Sequence, residues 1–394
     1  MKRLGVGLVI LITFLTSALP VSADTINPPS ATAGWLETLN YYRLSSGMPI
    51  VTEDPAITEA SKKHATYLAR SDKKYFSGIY ENLHSENPAS PFYSKEGVEV
   101  GAGNIVSGAE LPSRAIDSLM AAPFHANGFL RENLERVGFG TEVIGPNGYS
   151  PGMRVTNIGV IAGLNNSVRT KVILFPGSGA ITYLNDFDSE NPEPRESCGS
   201  DYKKYKGLII FASLLTSPSK LISASLTDPK NKKLSSNDLC LVTEHNFKSS
   251  DPVYGEAGRG IIAQDHLVML IPRNPLMPGK YKVEIKQAEL EDLKWEFTYV
   301  EGLQRLPNTV SVTYPRSNKK VFVGDKVVIK VESMDAKIYS SISNSLVCAG
   351  KWDKNLLVIT TKKSGTCTVT VTGSQTNFLK AFKEKYVISV QGKR

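Results

Sequence analysis

Apolar residues in the first part of the chain recur every three or four positions, which is the spacing of amphipathic helices. This pattern predicts helices over residues 31–46, 55–70 and 111–121. Asp54 can cap the second helix, and Pro55 suits its first turn. His64 falls on or near the apolar face of that helix, where it is either a core histidine or part of a site.

After these helices the pattern changes to short strand-like runs separated by turn residues. Strands are predicted over 136–143, 153–161 and 170–175, and then at regular intervals through 203–301 and 308–391. Three helices followed by strands predict an α+β first domain. The later runs have the length and spacing of immunoglobulin-type sandwiches. We therefore expect an α+β chain in which two all-β sandwiches follow a mixed first domain.

Composition sets the predicted domain boundaries. Residues 177–200 are rich in Asn, Asp, Glu, Pro and Gly, which predicts an acidic, proline-rich linker. The predicted domains therefore span 24–176, 201–303 and 304–394. Inside the first domain, residues 72–105 are rich in Ser, Asn, Gly and Pro and predict a long ordered loop.

The start of the chain has the pattern of a secretory signal. Lys2 and Arg3 precede an apolar run over 4–19, and small residues up to Ala23 form a cleavage site. The run is shorter than the roughly 20 residues of a membrane span, although an uncleaved anchor stays an alternative. No later stretch is apolar enough to cross a bilayer. We expect a signal peptide over 1–23 and a secreted, extracellular protein that can associate with a cell surface.

The charge of the chain bears on its partners. Its 394 residues carry a formal net charge of +8. This mild excess favours contact with anionic surfaces such as wall polymers, acidic glycans or lipid headgroups, unless it is only a solvated basic surface. The sequence has no dense Lys/Arg run, no aromatic–basic RNA motif and no zinc-finger spacing, so we expect no nucleic-acid partner.

All four cysteines lie in the second half of the chain, at Cys198, Cys240, Cys348 and Cys367. Four cysteines allow three pairings. We favour the local one, Cys198–Cys240 with Cys348–Cys367, because each pair falls in or beside one predicted β domain. None has the CxxC spacing of a metal site.

The candidate chemistry lies between His84 and His125. Glu86 follows His84 by two positions, and imidazole with carboxylate suits either zinc or an acid–base pair. Glu96 and Glu99 are near enough in sequence to contribute. The alternative is that these are ordinary loop residues bonded to the backbone.

Other reaction classes find little support. Residues 176–179 only approach a Gly-x-Ser-x-Gly nucleophile motif, and the first domain has no cysteine. The His-Glu-x-x-His, phosphate-loop and dinucleotide motifs are absent from the sequence.

Several short motifs, taken in order, resemble one family. They are Asn40-Tyr41-Tyr42-Arg43, His84-Ser85-Glu86, Asn104-Ile105, Ala122-Pro123-Phe124-His125 and Val137-Gly138-Phe139-Gly140. With these motifs, the region 35–176 resembles the bacterial form of the CAP domain of cysteine-rich secretory, antigen 5 and pathogenesis-related 1 proteins.

The resemblance implies an α-β-α sandwich with a central cleft, into which His84 and His125 face. Glu86 and Asn104 are the other expected cleft residues, and the family's divalent metal, for which zinc is the candidate, implies His84, His125 and Glu86 as ligands. Two departures concern the chemistry. Gly103 stands where the family has a glutamate, and Leu119 where it has a tryptophan.

The set of acidic residues expected in the cleft is incomplete, whereas both histidines are present. We therefore expect a ligand-binding function in preference to a catalytic one. The leading hypothesis is a secreted bacterial CAP-domain protein that binds an extracellular lipid, glycan or cell-wall component in a His/Glu cleft. A metal-dependent hydrolase that uses the same cleft is one alternative. A purely structural cell-surface protein is the other, and whether the chain is an enzyme stays open.

Overall fold

The computed structural model describes residues 26–29, 33–102, 104–107, 112–147, 154–187, 189–288, 291–301, 309–332, 338–353, 356–374 and 381–392. The predicted signal peptide, Gly103 and the side chain of Asn104 lie outside this description. No helix among the described residues is both long and apolar enough to cross a bilayer.

The first domain combines helices with one sheet. Its helices are α1 (Trp35–Ser45), α2 (Pro55–Arg70), α3 (Lys95–Gly101), α4 (Pro112–Met120) and α5 (Pro123–Phe129). Its strands are β1 (Thr52–Glu53), β2 (Asn104–Ser107), β3 (Arg136–Val143) and β4 (Arg154–Gly159). They form a four-stranded sheet in the order β1-β3-β4-β2, in which only the β1–β3 pair is parallel.

Helices cover both faces of this sheet, so the first domain is an α-β-α sandwich as expected. Phe139 of β3 points to one face, where its ring stacks on Trp35 of α1 with centroids 4.9 Å apart. Gly138 and Gly140 point to the other face, against the backbone of α2. A Cβ at Gly140 would lie 2.3 Å from the backbone of Ser61 and Lys62, so only glycine permits this approach.

Gly140→Ala is therefore expected to lower the free energy of unfolding by about 1–3 kcal/mol, because α2 must move away from the sheet. Urea unfolding followed by circular dichroism measures the change. Gly260→Ala is the reference substitution: a Cβ there meets nothing within 4 Å, so an alanine inside the helix Gly255–Asp265 should keep stability equal or raise it by about 0.5–1 kcal/mol. An unchanged midpoint for Gly140→Ala would show that α2 does not pack this closely.

A buried arginine fixes the turn between α5 and β3. The Arg43 guanidinium is fully buried and donates to the carbonyl oxygens of Pro49 (2.7 Å), Phe129 (2.5 Å), Arg131 (3.1 Å) and Leu134 (3.0 Å). Burial lowers the pKa of Arg43 to about 10. These carbonyls include the end of α5, where a positive charge is favoured by the helix dipole. Arg43 of the opening motif is thus a scaffold residue.

Local signals placed several elements correctly. The helix predicted over 55–70 is α2, and the side chain of Asp54 accepts hydrogen bonds from the backbone of Ala56 and Ile57. The strand predicted over 136–143 is β3. The loop predicted over 72–105 also contains α3, whose N-cap is Ser94.

The second domain is a β sandwich with one added helix. Its strands are β5 (Ile173–Phe175), β6 (Ile181–Thr182), β7 (Ile210–Ser213), β8 (Ser223–Thr227), β9 (Leu239–Val242), β10 (Leu267–Pro272), β11 (Gly279–Lys286) and β12 (Leu293–Tyr299). Two four-stranded sheets have the orders β5-β7-β10-β9 and β6-β12-β11-β8. Helix α6 (Gly255–Asp265) precedes β10, in a region where the sequence predicts no helix.

The strand predicted over 170–175 exists, but its assignment to the first domain is wrong. This strand, β5, pairs antiparallel with β7, and β6 pairs with β12. The segment 177–200, predicted as a linker, therefore contributes a strand to the second domain. The physical reason is that a short apolar run shows strand propensity without showing its partner, which lies about 40 residues later in the chain.

One continuous hydrophobic core joins the first two domains. The ring of Phe175 on β5 lies between Tyr42 of α1 (6.2 Å between centroids) and Phe211 of β7 (5.4 Å). The two domains therefore pack as a unit, because apolar surface of each is buried by the other.

A buried carboxylate crosses the same junction. Asp117 Oδ1 accepts hydrogen bonds from the hydroxyls of Tyr42 (2.8 Å) and Tyr183 (2.6 Å), and Oδ2 lies 3.2 Å from Arg114. Burial raises the pKa of Asp117, although these donors act in the opposite direction. Burial and the Asp117 carboxylate raise the pKa of Tyr183 well above its usual value, so this tyrosine remains a donor.

Removing one donor tests the junction. Tyr183→Phe is expected to lower the free energy of unfolding by about 1.5–3 kcal/mol, the usual contribution of a hydrogen bond to a charged group. Because the core is shared, the first two domains should also unfold in one calorimetric transition. Tyr339→Phe, whose exposed side chain makes no comparable bond among the described residues, is the control. Separate transitions for the two domains would contradict the shared core.

The third domain is a second sandwich with its own core. One sheet holds β13 (Thr309–Thr313), β15 (Lys326–Glu332), β18 (Leu356–Thr361) and β17 (Cys348–Asp353), in that order. The other holds β14 (Val321–Phe322), β20 (Phe382–Gln391), β19 (Gly365–Gly373) and β16 (Ile338–Ile342).

Both disulfides follow the predicted local pairing. Cys198 is bonded to Cys240, and Cys348 to Cys367. Cys348 and Cys367 lie on different sheets of the third domain and are fully buried, so this bond ties the two sheets together.

Candidate functional site

Glu86, predicted to face the cleft, is buried against another histidine. Its Oε1 lies 2.8 Å from Nδ1 of His64, and its Oε2 accepts the backbone N–H of Ser94 at 2.9 Å. Nε2 of His64 is 3.0 Å from the carbonyl oxygen of Leu83. Both side chains are fully buried, so this pair holds the loop to α2 and does not line a cleft.

Two glycines of α3 make room for this pair. A Cβ at Gly97 would lie 2.2 Å from Oε1 of Glu86, and one at Gly101 would lie 2.6 Å from the His64 ring. Helix α3 therefore closes over the pair and packs this part of the loop against α2. His64 is a core histidine, but one with polar partners on both ring nitrogens.

His84 lies at the boundary with the second domain. Its ring stands edge-on to the ring of Tyr254, with centroids 5.9 Å apart and an interplanar angle of 82°. The backbone N–H of the preceding residue, Leu83, donates to the Tyr254 hydroxyl at 2.9 Å. Tyr254 immediately precedes α6, so this contact joins the first domain to the second.

His125 meets the second domain through a different residue. Its Nδ1 lies 2.5 Å from Oε1 of Glu190, and its side chain is 21% exposed, whereas that of Glu190 is fully buried. Glu190 also accepts the backbone N–H groups of Phe124 (3.2 Å) and His125 (3.0 Å) in the first turn of α5. A carboxylate is favoured there because it satisfies unpaired donors of the helix.

The boundary also has an aromatic contact next to His125. Phe124 meets Phe247 edge-on, with centroids 5.8 Å apart. Phe247 in turn packs near Gly258 of α6, which also lies against Pro192. We define the domain seam as His84 and His125 on the first domain with Glu190, Phe247 and Tyr254 on the second.

The predicted metal ligands do not converge. Glu86 is held by His64, and His125 is held by Glu190. Within the described ranges, no group of three or more His, Cys, Asp or Glu side chains is placed to hold a metal ion. Zinc binding by His84, Glu86 and His125 therefore stays a prediction, and the positions of these side chains do not fit it. Glu96 is also elsewhere, paired at 3.1 Å with Lys63 on the surface.

Tyr254 carries the clearest chemical feature of the seam. Its hydroxyl accepts a hydrogen bond from the backbone of Leu83, and among the described residues no hydrogen bond uses its own proton. Burial raises the pKa of Tyr254, so the phenol keeps this proton at neutral pH. The half-buried ring can therefore donate to a ligand while presenting an apolar face.

A second polar feature lies beside the seam. A cavity of about 280 Å³ opens between the domains, and its lining includes Asn127, Arg131, Arg169, Asp265 and His266. Asp265 binds Asn127 at 2.5 Å and Arg131 at 3.1 Å. Asp265 therefore pairs with two of the lining groups, whereas Asn127 Oδ1, Arg131 Nε and His266 Nδ1 are buried and have no hydrogen-bond partner among the described residues.

Sequence reasoning found the two histidines of the seam but not their partners. Glu190 lies in the acidic segment that was predicted to be a linker, and that acidity was its only signal. Phe247 and Tyr254 carry no local motif. Their importance comes from α6, which only the tertiary structure reveals.

Glu190→Gln is expected to lower the free energy of unfolding by about 1–3 kcal/mol, because an amide nitrogen cannot accept the backbone N–H that a carboxylate oxygen accepts. Urea unfolding provides the measurement. Glu256→Gln on the surface of α6 serves as the matched control, with a side chain that is 88% exposed. Equal stability of both variants would argue that Glu190 does not anchor α5.

Comparison with known protein families finds a match within the first domain. Residues 36–160 match the family model described as "CAP: Cysteine-rich secretory protein family". No curated protein matches the chain. The match and the sheets described above confirm the predicted fold class, a CAP-like α-β-α sandwich followed by two immunoglobulin-like β sandwiches.

Solved structures similar to the chain include proteins with repeated immunoglobulin or fibronectin(III)-like modules. Murine CEACAM1b is 13% identical, with coverage of 47% of this chain and 92% of that chain and a TM-score of 0.19. Tandem Ig repeats of Dlar are 11% identical, with 47% and 89% covered and a TM-score of 0.17. Fibronectin(III)-like modules of Clostridium thermocellum CbhA are 10% identical, with 56% and 95% covered and a TM-score of 0.19.

Proposed function

We propose that this chain is a secreted bacterial CAP-domain protein that binds an extracellular ligand at the domain seam. The ligand class is a lipid, a glycan or a cell-wall component. The Tyr254 hydroxyl carries the proposal, because its proton has no acceptor among the described residues and the partly exposed His84 ring lies against the Tyr254 ring. Two disulfides support an oxidising, extracellular compartment.

The seam suits binding better than hydrolysis. The predicted His/Glu metal site and the predicted His–carboxylate acid–base pair both need a carboxylate that is free to act beside the histidines. Glu86 is bonded to His64, and Glu190, whose Oε1 does lie 2.5 Å from Nδ1 of His125, already accepts two backbone N–H groups of α5. What remains is a set of aromatic faces with a few polar groups, which is the composition of a recognition site.

A ligand in the seam would touch both domains. His84 and His125 belong to the first domain, and Tyr254 belongs to the second. Ligand binding should then stabilise the junction and raise the melting temperature of the shared core, because a ligand that binds only the folded state adds its binding free energy.

Ligand screening with seam variants tests the proposal. Purified wall fragments, a glycan panel and phospholipid vesicles are offered to the chain and to a His84→Ala/His125→Ala variant. We expect at least one probe to bind the wild type, and the variant to bind about tenfold more weakly, equivalent to 1.4 kcal/mol. His245→Ala, outside the seam, is the control. Undiminished binding by the double variant would exclude the seam as the site.

Tyr254→Phe separates the phenol from the ring. The variant keeps the aromatic face but loses both the donor and the acceptor of the Leu83 N–H, so binding should weaken by about 1 kcal/mol, and its melting temperature verifies that the fold persists. Metal dependence is checked in the same assay with a chelator. Binding that is lost on chelation and restored by zinc would favour the metal-dependent hydrolase instead, and binding to none of the probes would favour a structural role.

A further inference from the structure

The positive charge of the chain is concentrated in its third domain. Residues 304–394 hold 16 Lys and Arg residues against five Asp and Glu residues, whereas residues 1–303 hold 30 against 33. The net charge of +8 therefore originates in one domain of less than a quarter of the chain. Such a local excess creates a positive potential that the whole-chain value understates.

Strand directions collect much of this charge at one end of the sandwich. The chain enters at Thr309, which pairs with Glu332 at the near end of the sheet. The turns 314–320, 323–325, 343–347 and 362–364 all lie at the far end, where Lys326 pairs with Thr360. We define this far end as the tip. Its basic residues are Arg316, Lys319, Lys320, Lys326, Lys362 and Lys363.

Hydrogen bonds hold these turns side by side. Thr361 is buried, and its Oγ1 donates to the carbonyl oxygens of Phe322 (2.7 Å) and Asp325 (3.0 Å). Gly324 N–H donates to Thr361 O at 2.9 Å, and Lys362 N–H donates to Val347 O at 2.7 Å. These bonds fix three of the turns beside one another, and the ion pair between Arg316 and Asp325 joins the fourth, 314–320, so their charges act together.

The tip lacks the carboxylates that would neutralise it. Asp325 is paired with Arg316. Within the described part of the chain, no ion pair joins Lys319, Lys320, Lys362 or Lys363 to a carboxylate, and all four are exposed. Like charges held close together repel one another, so an anionic partner would relieve this repulsion.

We propose that the tip binds a linear phosphate-bearing polyanion, such as a phosphodiester-linked wall polymer, at a site separate from the domain seam. Lysine is a point charge that binds phosphate well. Hydroxyl and amide side chains surround the lysines and can bond to a polymer backbone: Ser317, Asn318, Ser343, Ser345 and Ser364.

The surface of the tip favours a polymer over a bilayer. Stable contact with a membrane surface combines basic residues with several apolar side chains that insert. Among the described tip residues, Leu346 is the one large apolar side chain that is prominently exposed, at 75%. One leucine among polar neighbours is ordinary for a soluble surface.

Binding of the full chain to immobilised long-chain inorganic polyphosphate tests the proposal. The tip variant is Lys319→Ser/Lys320→Ser/Lys362→Ser/Lys363→Ser. The matched control removes four exposed lysines of the second domain, Lys230→Ser/Lys232→Ser/Lys233→Ser/Lys282→Ser. Both variants lose the same charge, so a difference between them reports on position. Melting temperatures of the variants verify that both fold.

We expect the tip variant to bind polyphosphate at least about tenfold more weakly. The slope of log affinity against log salt concentration should also become shallower by about three units, since four lost phosphate contacts no longer release counterions. The affinity of the control variant should stay within about twofold of that of the wild type, which is a smaller change than the loss of one phosphate contact would cause. Equal losses in both variants, or a wild type that binds polyphosphate no better than uncharged dextran, would overturn the proposal.

Vesicles provide the second arm of the experiment. Phosphatidylglycerol mixed into phosphatidylcholine offers phosphate on a bilayer, and Leu346→Ser removes the exposed apolar side chain. We expect polyphosphate to displace the chain from vesicles. The Leu346→Ser variant should bind polyphosphate as tightly as the wild type does. If the chain instead prefers vesicles and Leu346→Ser abolishes vesicle binding, the proposal of a polymer ligand would be overturned in favour of a lipid surface.

Discussion

The buried carboxylate of Asp117 is the interaction on which the arrangement of the first two domains depends. It accepts from Tyr42 of the first domain and Tyr183 of the second, inside a core that both domains share. A buried acceptor that loses its donors costs more than the bond itself contributes, so the two domains are held in one relative position. That position places α6, Phe247 and Tyr254 beside His84 and His125. The seam is thus a consequence of the junction, and neither domain would form it alone.

Local patterns predicted what local physics decides. The Asp54 cap and Pro55 define where α2 begins, and each disulfide joins cysteines close in sequence. The assignment of β5 failed because its partner strand lies about 40 residues further on, and pairing is a property of the assembled sheet. Helix α6 was not predicted, since the sequence Gly255–Asp265 has two interior glycines, which are poor helix formers. Packing against Pro192 and Phe247 requires one of them, Gly258.

The candidate site shows the same limit. Both histidines were found from the sequence, because their residue type is rare in the chain and their motifs resemble the CAP family. Glu86 was predicted to join them, but it turns inward to His64, 22 positions earlier. Sequence spacing cannot decide this, since a carboxylate two residues from one histidine can bond to another that the fold brings closer. The carboxylate that does meet His125 is Glu190, from a segment predicted to be a linker.

The third domain differs from the other two in both packing and charge. Its core is a separate cluster, whereas the first two domains share theirs. Substitutions at the tip should therefore leave the seam unchanged, because no continuous packed core connects them among the described residues. The charge follows the same division, with a net positive third domain and a slightly negative remainder. If the tip binds a polyanion and the seam binds a different ligand, each surface can therefore be altered without disturbing the other.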